Sequence, residues 1–223
     1  MTRIPGQFLA AVLFLPLLLA GCASFRPGAE SPPPGDLPSL IALRDRFLAR
    51  AGQVGLKLDF TPEIREWTRP SIISWRQEQK AVAVSRWEEL APETRKQLCE
   101  MAGGDQEGAR LFAWLFRWFF VPHELAHAFQ VSRDDRTTHS VSERAANDTA
   151  VAFFMGEEEG PARLMMLEEL LGPIATRLPA PVPPGEDPDR YFDAHYDGLG
   201  KDPRVYGYFQ FRFVLDSLAR REG

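Results

Sequence analysis

The chain has 223 residues with a formal net charge of -5, and 44% of its residues are hydrophobic. This composition is that of a globular protein with a substantial core, and the length suits one domain of ordinary size. The acidic balance and the lack of any cluster of basic residues in the sequence argue against nucleic acid as a partner.

An apolar run at residues 8–20 follows a short segment that carries Arg3. This is the layout of a secretory signal, and the run is too short to span a bilayer comfortably. The letters LAGC at 19–22 resemble the lipobox of bacterial lipoproteins, which implies a signal peptide at residues 1–21 and a lipid on Cys22. The alternative is an ordinary signal peptide followed by an unrelated cysteine. Ala23 favours the outer membrane, facing the periplasm, if the source is Gram-negative.

Residues 22–38 are rich in Pro, Gly and Ser and have no apolar periodicity. Proline fixes its own φ angle, so such a segment is extended, and we interpret it as a tether between the lipid and the domain. If Cys22 carries lipid, Cys99 has no partner in the chain for a disulfide. Residues 39–223 then form a single predicted domain that is held together by its core.

Helical periodicity dominates this domain. Apolar residues recur at helical spacing within 38–52, and they cover nearly every face of 107–130, which is typical of a central buried helix. Pro122 must kink that helix or begin a new one, and we expect a kink because Val121 would be a poor N-cap. Further helices are predicted at 91–104, 139–156, 160–177, 188–199 and 202–221.

One segment predicts β structure. Polar and apolar side chains alternate on both sides of a polar centre at 77–80 within SIISWRQEQKAVAVSRW, residues 71–87. This pattern is typical of a hairpin or of two short strands. The expected fold class is therefore α+β and mostly helical.

Two of the four histidines of the chain stand around a glutamate in the letters HELAH at 123–127. On a helix, residues four apart lie on the same face, so His123 and His127 can converge on one metal ion. Zinc suits such a pair, because it accepts imidazole and needs only a third protein ligand to leave a fourth position for water. Glu124 is displaced around the helix far enough to act on that water as a general base. The alternative is a pair of histidines without a metal, each satisfied by local hydrogen bonds.

A third ligand is available on the next predicted helix, in SERAANDTA at 142–150. Small alanines there permit close approach to another helix, so Glu143 can face the histidines. Asn147, one turn later, can bind the outer ring nitrogen of a ligating histidine. The alternatives are a charge at the helix N-terminus for Glu143 and a solvated turn for Asn147.

HELAH followed by ERAAN at 143–147 resembles the gluzincin class of zinc metallopeptidases. The resemblance implies a Zn²⁺ site made by His123, His127 and Glu143, with Glu124 as the catalytic base and Asn147 as a brace for a histidine. It also implies a zincin-like core, with a small sheet over the helix of the histidines, and a peptide or protein substrate held on the edge strand. The motifs cover residues 120–150 only, and the chain has no recognisable substrate domain, which leaves the substrate open.

A peptidase also needs a donor for the negative charge on the carbonyl oxygen. The sequence offers His195, between Asp193 and Asp197, and then Tyr206. The alternative for these aromatic rings is packing against the core. Two further functions stay open, a non-catalytic lipoprotein with a zinc site and a peptide-binding envelope lipoprotein.

Overall fold

The structure is a computed structural model, and it describes residues 32, 33, 35–67 and 72–221. Helices dominate, and a small sheet follows the first of them, so the mostly helical α+β class is confirmed. The elements in chain order are α1 (Leu37–Gln53), β1 (Glu63–Glu66), β2 (Ile73–Arg76), β3 (Ala81–Val84), a 3₁₀ turn (Trp87–Glu89), α2 (Pro92–Ala102), α3 (Asp105–Leu111), a π-helical segment (Phe112–Phe119), α4 (Phe120–Ser132), α5 (His139–Met155), α6 (Gly160–Arg177), α7 (Pro188–Leu199) and α8 (Pro203–Ala219).

The predicted signal peptide and lipobox lie outside the described residues, as does most of the tether. The domain begins earlier than residue 39, because Asp36 caps α1 by accepting a hydrogen bond from the Ser39 amide at 2.8 Å. The carbonyl of Gly35 is also bound by the Arg117 Nε at 2.6 Å. Within the described part of the chain, no helix is both long and apolar enough to cross a membrane.

The three strands form a mixed sheet in the order β1-β3-β2. β2 and β3 are antiparallel and their turn at Gln77–Lys80 is tight, which confirms the predicted hairpin. β3 is AVAV, and all four residues are buried because the strand lies in the middle of the sheet. β1, which the sequence analysis did not predict, pairs with β3 in parallel. β2 is therefore an edge strand, and it lies against α4.

The long apolar segment is a nearly continuous helical stretch whose register changes in the middle. In the π-helical segment the Phe120 amide donates to the Leu115 carbonyl, five residues back, and α4 begins at that point. Pro122 is the third residue of α4. Proline has no N–H and its ring clashes with the preceding turn of a regular helix, so the wider π turn just upstream accommodates it. The change of register lies two residues before Pro122, and a kink at Pro122 itself stays a prediction.

α5 packs along α4, and small side chains bring the two helices together. Ala146 and Ala150 are fully buried in the face of α5 that meets its neighbours. Arg144 connects α5 to α7 and α8. Its guanidinium donates to Asp189 of α7 at 2.9 and 3.0 Å and to Asp216 of α8 at 2.8 Å. The C-terminal helices are thereby fixed beside the N-terminal half of α5.

Candidate metal centre

His123 and His127 present their rings to each other from consecutive turns of α4. Their Nε2 atoms are 3.1 Å apart, and the ring planes are nearly perpendicular, at 85°. His123 is 3% exposed, whereas His127 stands at the cleft surface and is partly exposed. The predicted convergence of the pair on one point is therefore present.

Glu143 of α5 completes the group. Its Oε2 lies 3.3 Å from the His123 Nε2, and its Oε1 lies 3.6 Å from the His127 Nε2. Gln210 of α8 donates to Oε2 at 3.1 Å and holds the carboxylate in place. The three side chains of His123, His127 and Glu143 could hold a metal ion.

The charges of this group influence one another strongly. Burial acts to raise the pKa of Glu143, but the hydrogen bond and charge of His123, followed by the charge of His127, outweigh it and hold the pKa at about 2. Burial acts to lower the pKa of His123, and the Glu143 carboxylate outweighs it, so that pKa is raised. A carboxylate and a cation are the stable partners here when no metal is bound.

The outer nitrogen of each histidine ring has an amide oxygen as its partner. The His123 Nδ1 lies 2.9 Å from the Asn147 Oδ1, which is the bracing contact that the sequence predicted. The His127 Nδ1 lies 2.7 Å from the Gln130 Oε1. The amide of Gln130 is itself oriented, because its Nε2 donates to the Ser142 carbonyl at 3.0 Å and its Oε1 accepts from the Ser142 hydroxyl at 2.9 Å.

These contacts determine where the protons of the neutral rings sit. An amide oxygen accepts, so Nδ1 carries the hydrogen in both rings and each Nε2 presents a bare lone pair. Two bare ring nitrogens and a carboxylate then face one another inside the protein. Such a set of acceptors requires a cation between them or a proton on one of them.

Glu124 lies beside this group and does not belong to it. Its Oε2 accepts a hydrogen bond of 2.6 Å from the backbone N–H of Trp75, on the edge strand β2. The Ser85 N–H donates to the Ile72 carbonyl at 2.8 Å, so by alternation the hydrogen-bonded pairs of this ladder are those of Ser74 and Arg76. The N–H of Trp75 therefore points away from β3 and toward α4. The sheet thus fixes the orientation of the Glu124 carboxylate.

The three candidate ligands and Glu124 line one cleft of about 650 Å³. Tyr196 of α7 and Tyr206 of α8 line the same cleft. Burial, followed by the charges of Glu143 and Glu124, raises the pKa of both phenols. Both hydroxyls therefore stay protonated at neutral pH and can donate hydrogen bonds into the cleft.

His195, the first choice for this donor in the sequence analysis, is not brought to the cleft. Its side chain is exposed on α7, stacks on Tyr191 and places its Nδ1 2.8 Å from the Tyr191 carbonyl. Asp193, which was expected to orient it, instead caps α5 by accepting from the amide and hydroxyl of Ser140. The next residue, Tyr196, faces inward in its place, so the candidate has to be corrected.

Sequence reasoning also missed several residues of the site. Gln130 stands three residues after His127, on the same face of α4, so helical spacing could have identified it. His139, the first residue of α5, lines the cleft and stacks on Tyr196 with ring centroids 3.7 Å apart. Gln210 and the amide of Trp75 come from distant elements, and no local pattern marks them.

Comparison with known proteins finds no family model that matches this chain, and no curated protein or solved structure that is significantly similar to it.

Proposed function

We propose that this protein binds one Zn²⁺ ion through His123, His127 and Glu143 and uses it to hydrolyse peptide bonds. One observation carries the proposal. Three acceptor side chains converge at the wall of a cleft, and a fourth side chain, the carboxylate of Glu124, is held beside them without joining them. A closed structural zinc site has four protein ligands, whereas an open catalytic site has three.

The spacing of the donors suits zinc. A tetrahedral ion with ligand bonds of about 2.0–2.1 Å needs ligand atoms about 3.3 Å apart. The distances of 3.1 Å between the ring nitrogens, and of 3.3 and 3.6 Å from these to the Glu143 oxygens, bracket that value. Two neutral imidazoles and one carboxylate are also a common donor set of catalytic zinc, and in their neutral form the two rings present the bare Nε2 atoms that a metal requires.

The residues of this chain can then be given roles. A zinc ion bound here supplies Lewis-acid activation of water and of the substrate carbonyl. Glu124 accepts a proton from the attacking water at its Oε1, because the Trp75 amide holds its Oε2 at 2.6 Å. Tyr206 and Tyr196 donate to the carbonyl oxygen as its negative charge develops.

The edge strand supports a peptide as the substrate. Ile73 and Trp75 of β2 line the cleft, and their backbone groups face away from β3. Glu124 accepts from the Trp75 N–H, which leaves the N–H of Ile73 and the carbonyls of both residues for a peptide. An extended peptide can bind such an edge through its main chain. The zincin-like core belongs to the same proposal, since the small sheet lies against α4 and the glutamate helix α5 packs beside it.

The location is also a proposal. The lipobox at 19–22 would anchor the protein through lipidated Cys22 in the outer membrane of a Gram-negative bacterium, facing the periplasm. The substrates would then be peptides or proteins of the cell envelope, and nucleic acid has no part in this function.

Two measurements on the purified protein test the proposal. Metal analysis should find one zinc per chain, and His127→Ala should lose it. Digestion of a mixed peptide library, followed by mass spectrometry, should show cleavage by the wild type. Glu124→Gln should bind zinc normally and lose hydrolysis, because the amide keeps the hydrogen bond to Trp75 but cannot take the proton.

The outcomes separate the alternatives. Zinc at one equivalent without any hydrolysis would favour a non-catalytic zinc lipoprotein or a peptide-binding protein. Less than half an equivalent of zinc would refute the metal site. Full activity in Glu124→Gln would remove Glu124 from the role of base.

A further inference from the structure

The cleft extends beyond the candidate metal centre into a deep apolar compartment. Three pairs of residues, each one helical turn apart, form its walls. They are Leu98 and Met101 on α2, Phe116 and Phe120 on the π-helical segment and α4, and Gly207 and Phe211 on α8. Four of these residues, Leu98, Met101, Phe120 and Phe211, are at most 7% exposed, so the compartment is cut into the core of the protein.

The compartment begins directly at the candidate ligands. The Phe120 ring packs on the His123 ring with centroids 4.8 Å apart. On α8, Phe211 follows Gln210, which holds the Glu143 carboxylate. A substrate group in this compartment therefore belongs to a residue next to the bond that reacts.

The chemistry of the walls selects an apolar group. Among the described residues that line the cleft there is no Lys, Arg or Asp, and the acidic side chains are the two of the candidate centre, Glu124 and Glu143. A charged side chain in the compartment would lose its hydration without finding a partner, which is costly. A bulky apolar side chain would instead gain the free energy of burial.

We propose, on the basis of the proposed peptidase function, that this compartment takes one bulky apolar side chain adjoining the scissile bond. The substrates are then peptides with Leu, Phe or a residue of similar size at that position. Peptides with Asp, Glu, Lys or Arg there are poor substrates.

Gly207 sets the width of the compartment. It lies in α8 and lines the cleft, and a Cβ added there would meet the Met101 Sδ at 3.5 Å, the Leu178 Cδ1 at 3.8 Å and the Phe211 Cε2 at 3.9 Å. These are ordinary van der Waals distances, so Gly207→Ala can be built without moving the walls, and its methyl group occupies space that a substrate would fill. Gly52 in α1 has no atom within 4 Å of an added Cβ and does not line the cleft, so Gly52→Ala is a matched control.

The experiment uses peptides of Ala and Gly that carry one variable residue, which is Ala, Leu, Phe, Trp, Asp or Lys. Mass spectrometry locates the cleaved bond, and kcat/KM is measured for each peptide. The wild type should cleave next to Leu and Phe at least about 10-fold faster than next to Asp or Lys. Gly207→Ala should lower kcat/KM for Trp relative to Leu by about 10-fold or more, as expected for one methyl group in a pocket. Zinc content should stay unchanged, and Gly52→Ala should reproduce the wild-type profile.

A binding measurement separates this inference from the proposed function. Fluorescence anisotropy with labelled forms of the same peptides is measured on Glu124→Gln, alone and combined with Gly207→Ala. One outcome is that the wild type cleaves no peptide at all, while bulky apolar peptides bind selectively and Gly207→Ala reduces the binding of the largest of them. The compartment then stands and the peptidase proposal fails. If cleavage occurs without preference for apolar residues, or Gly207→Ala changes nothing, the compartment is refuted and the peptidase proposal stands. If no peptide is cleaved or bound, both are refuted.

Discussion

Gln130→Met tests how His127 is prepared for a metal. The Gln130 Oε1 lies 2.7 Å from the His127 Nδ1. Met has similar length and helix propensity, but its sulfur is only a weak acceptor. Without this partner the ring can rotate and can move its proton to Nε2, the atom that faces the centre. Loss of such an outer partner costs about 10–100-fold in metal affinity, which is about 1.4–2.8 kcal/mol.

The structure favours the lower part of that range. The Ser142 hydroxyl lies 3.5 Å from the same Nδ1, so a small rotation lets it replace Gln130. Ser142 also loses its own bond to Gln130, which frees the hydroxyl for this purpose. We therefore expect a decrease in zinc affinity closer to 10-fold than to 100-fold.

The assay is a competition titration of zinc against a chromophoric chelator at fixed pH. Gln106→Met is the control, because Gln106 is exposed on α3 and outside the cleft, and it should bind zinc like the wild type. Nitrogen NMR of the metal-free protein should show the Nδ1–H form of His127 in the wild type and a mixture of tautomers in Gln130→Met. A zinc affinity within twofold of the wild type, with an unchanged tautomer, would refute the reasoning.

Three other predictions concern the zinc site and the membrane anchor, the last of them from the sequence alone. Asn147→Ala should lower zinc affinity by about 10–100-fold, because the His123 Nδ1 loses its partner at 2.9 Å; an unchanged affinity in the chelator titration would contradict this. Zinc affinity should decrease as the pH is lowered, by up to about tenfold per pH unit for each proton that competes with the metal. The decrease should begin above pH 6.5, because the pKa of His123 is raised from that value and the imidazole binds metal only when neutral. A zinc affinity that stays constant down to pH 5 would contradict this. Cys22→Ser should move the protein from the membrane fraction to the soluble fraction without changing zinc content, and continued membrane association would indicate an uncleaved signal anchor.

A fifth prediction concerns the donor to the carbonyl oxygen. Tyr206→Phe should lower kcat by about 100-fold or more and leave the zinc content intact, since the change removes one hydrogen-bond donor and keeps the ring. His195→Ala serves as the contrast, because His195 is exposed and does not line the cleft, and its turnover should be that of the wild type. The opposite result, with activity lost in His195→Ala and kept in Tyr206→Phe, would restore the assignment made from sequence.

The parts of the site that could be predicted from sequence are those fixed within one helix. The spacing of His123 and His127, and of Glu143 and Asn147, is four residues, so helical geometry alone puts each pair on one face. The helices themselves could be predicted because their apolar residues repeat at the helical period. Small alanines on α5 indicated that it could approach α4 closely, and the two helices do pack together.

Contacts between distant segments could not be predicted in this way. β1 is only EIRE, with Ile64 as its single buried residue, so it has too little alternation to be identified as a strand. Its parallel partner β3 is separated from it by β2 and a turn, and no local rule sets that pairing. The bond from Gln210 to Glu143 joins α8 to α5, and an isolated glutamine on a helix carries no sign of its partner.

Tyr196 of α7 lines the cleft and its neighbour His195 does not, a difference that the sequence of α7 could not predict. His195 was chosen for its acidic neighbours in the sequence, but neighbours at i−2 and i+2 point to other sides of a helix. The apolar spacing of Phe192 and Leu199 marks the inward face of α7, and both are buried. His195 and Tyr196 each stand three or four residues from both Phe192 and Leu199, so this spacing does not choose between them. Contacts with other segments distinguish them, because the Tyr196 ring stacks on His139 of α5, whereas the His195 ring stacks on Tyr191 of its own helix. The side chain of α7 that reaches the cleft is therefore set by packing between helices, which the sequence of α7 alone does not show.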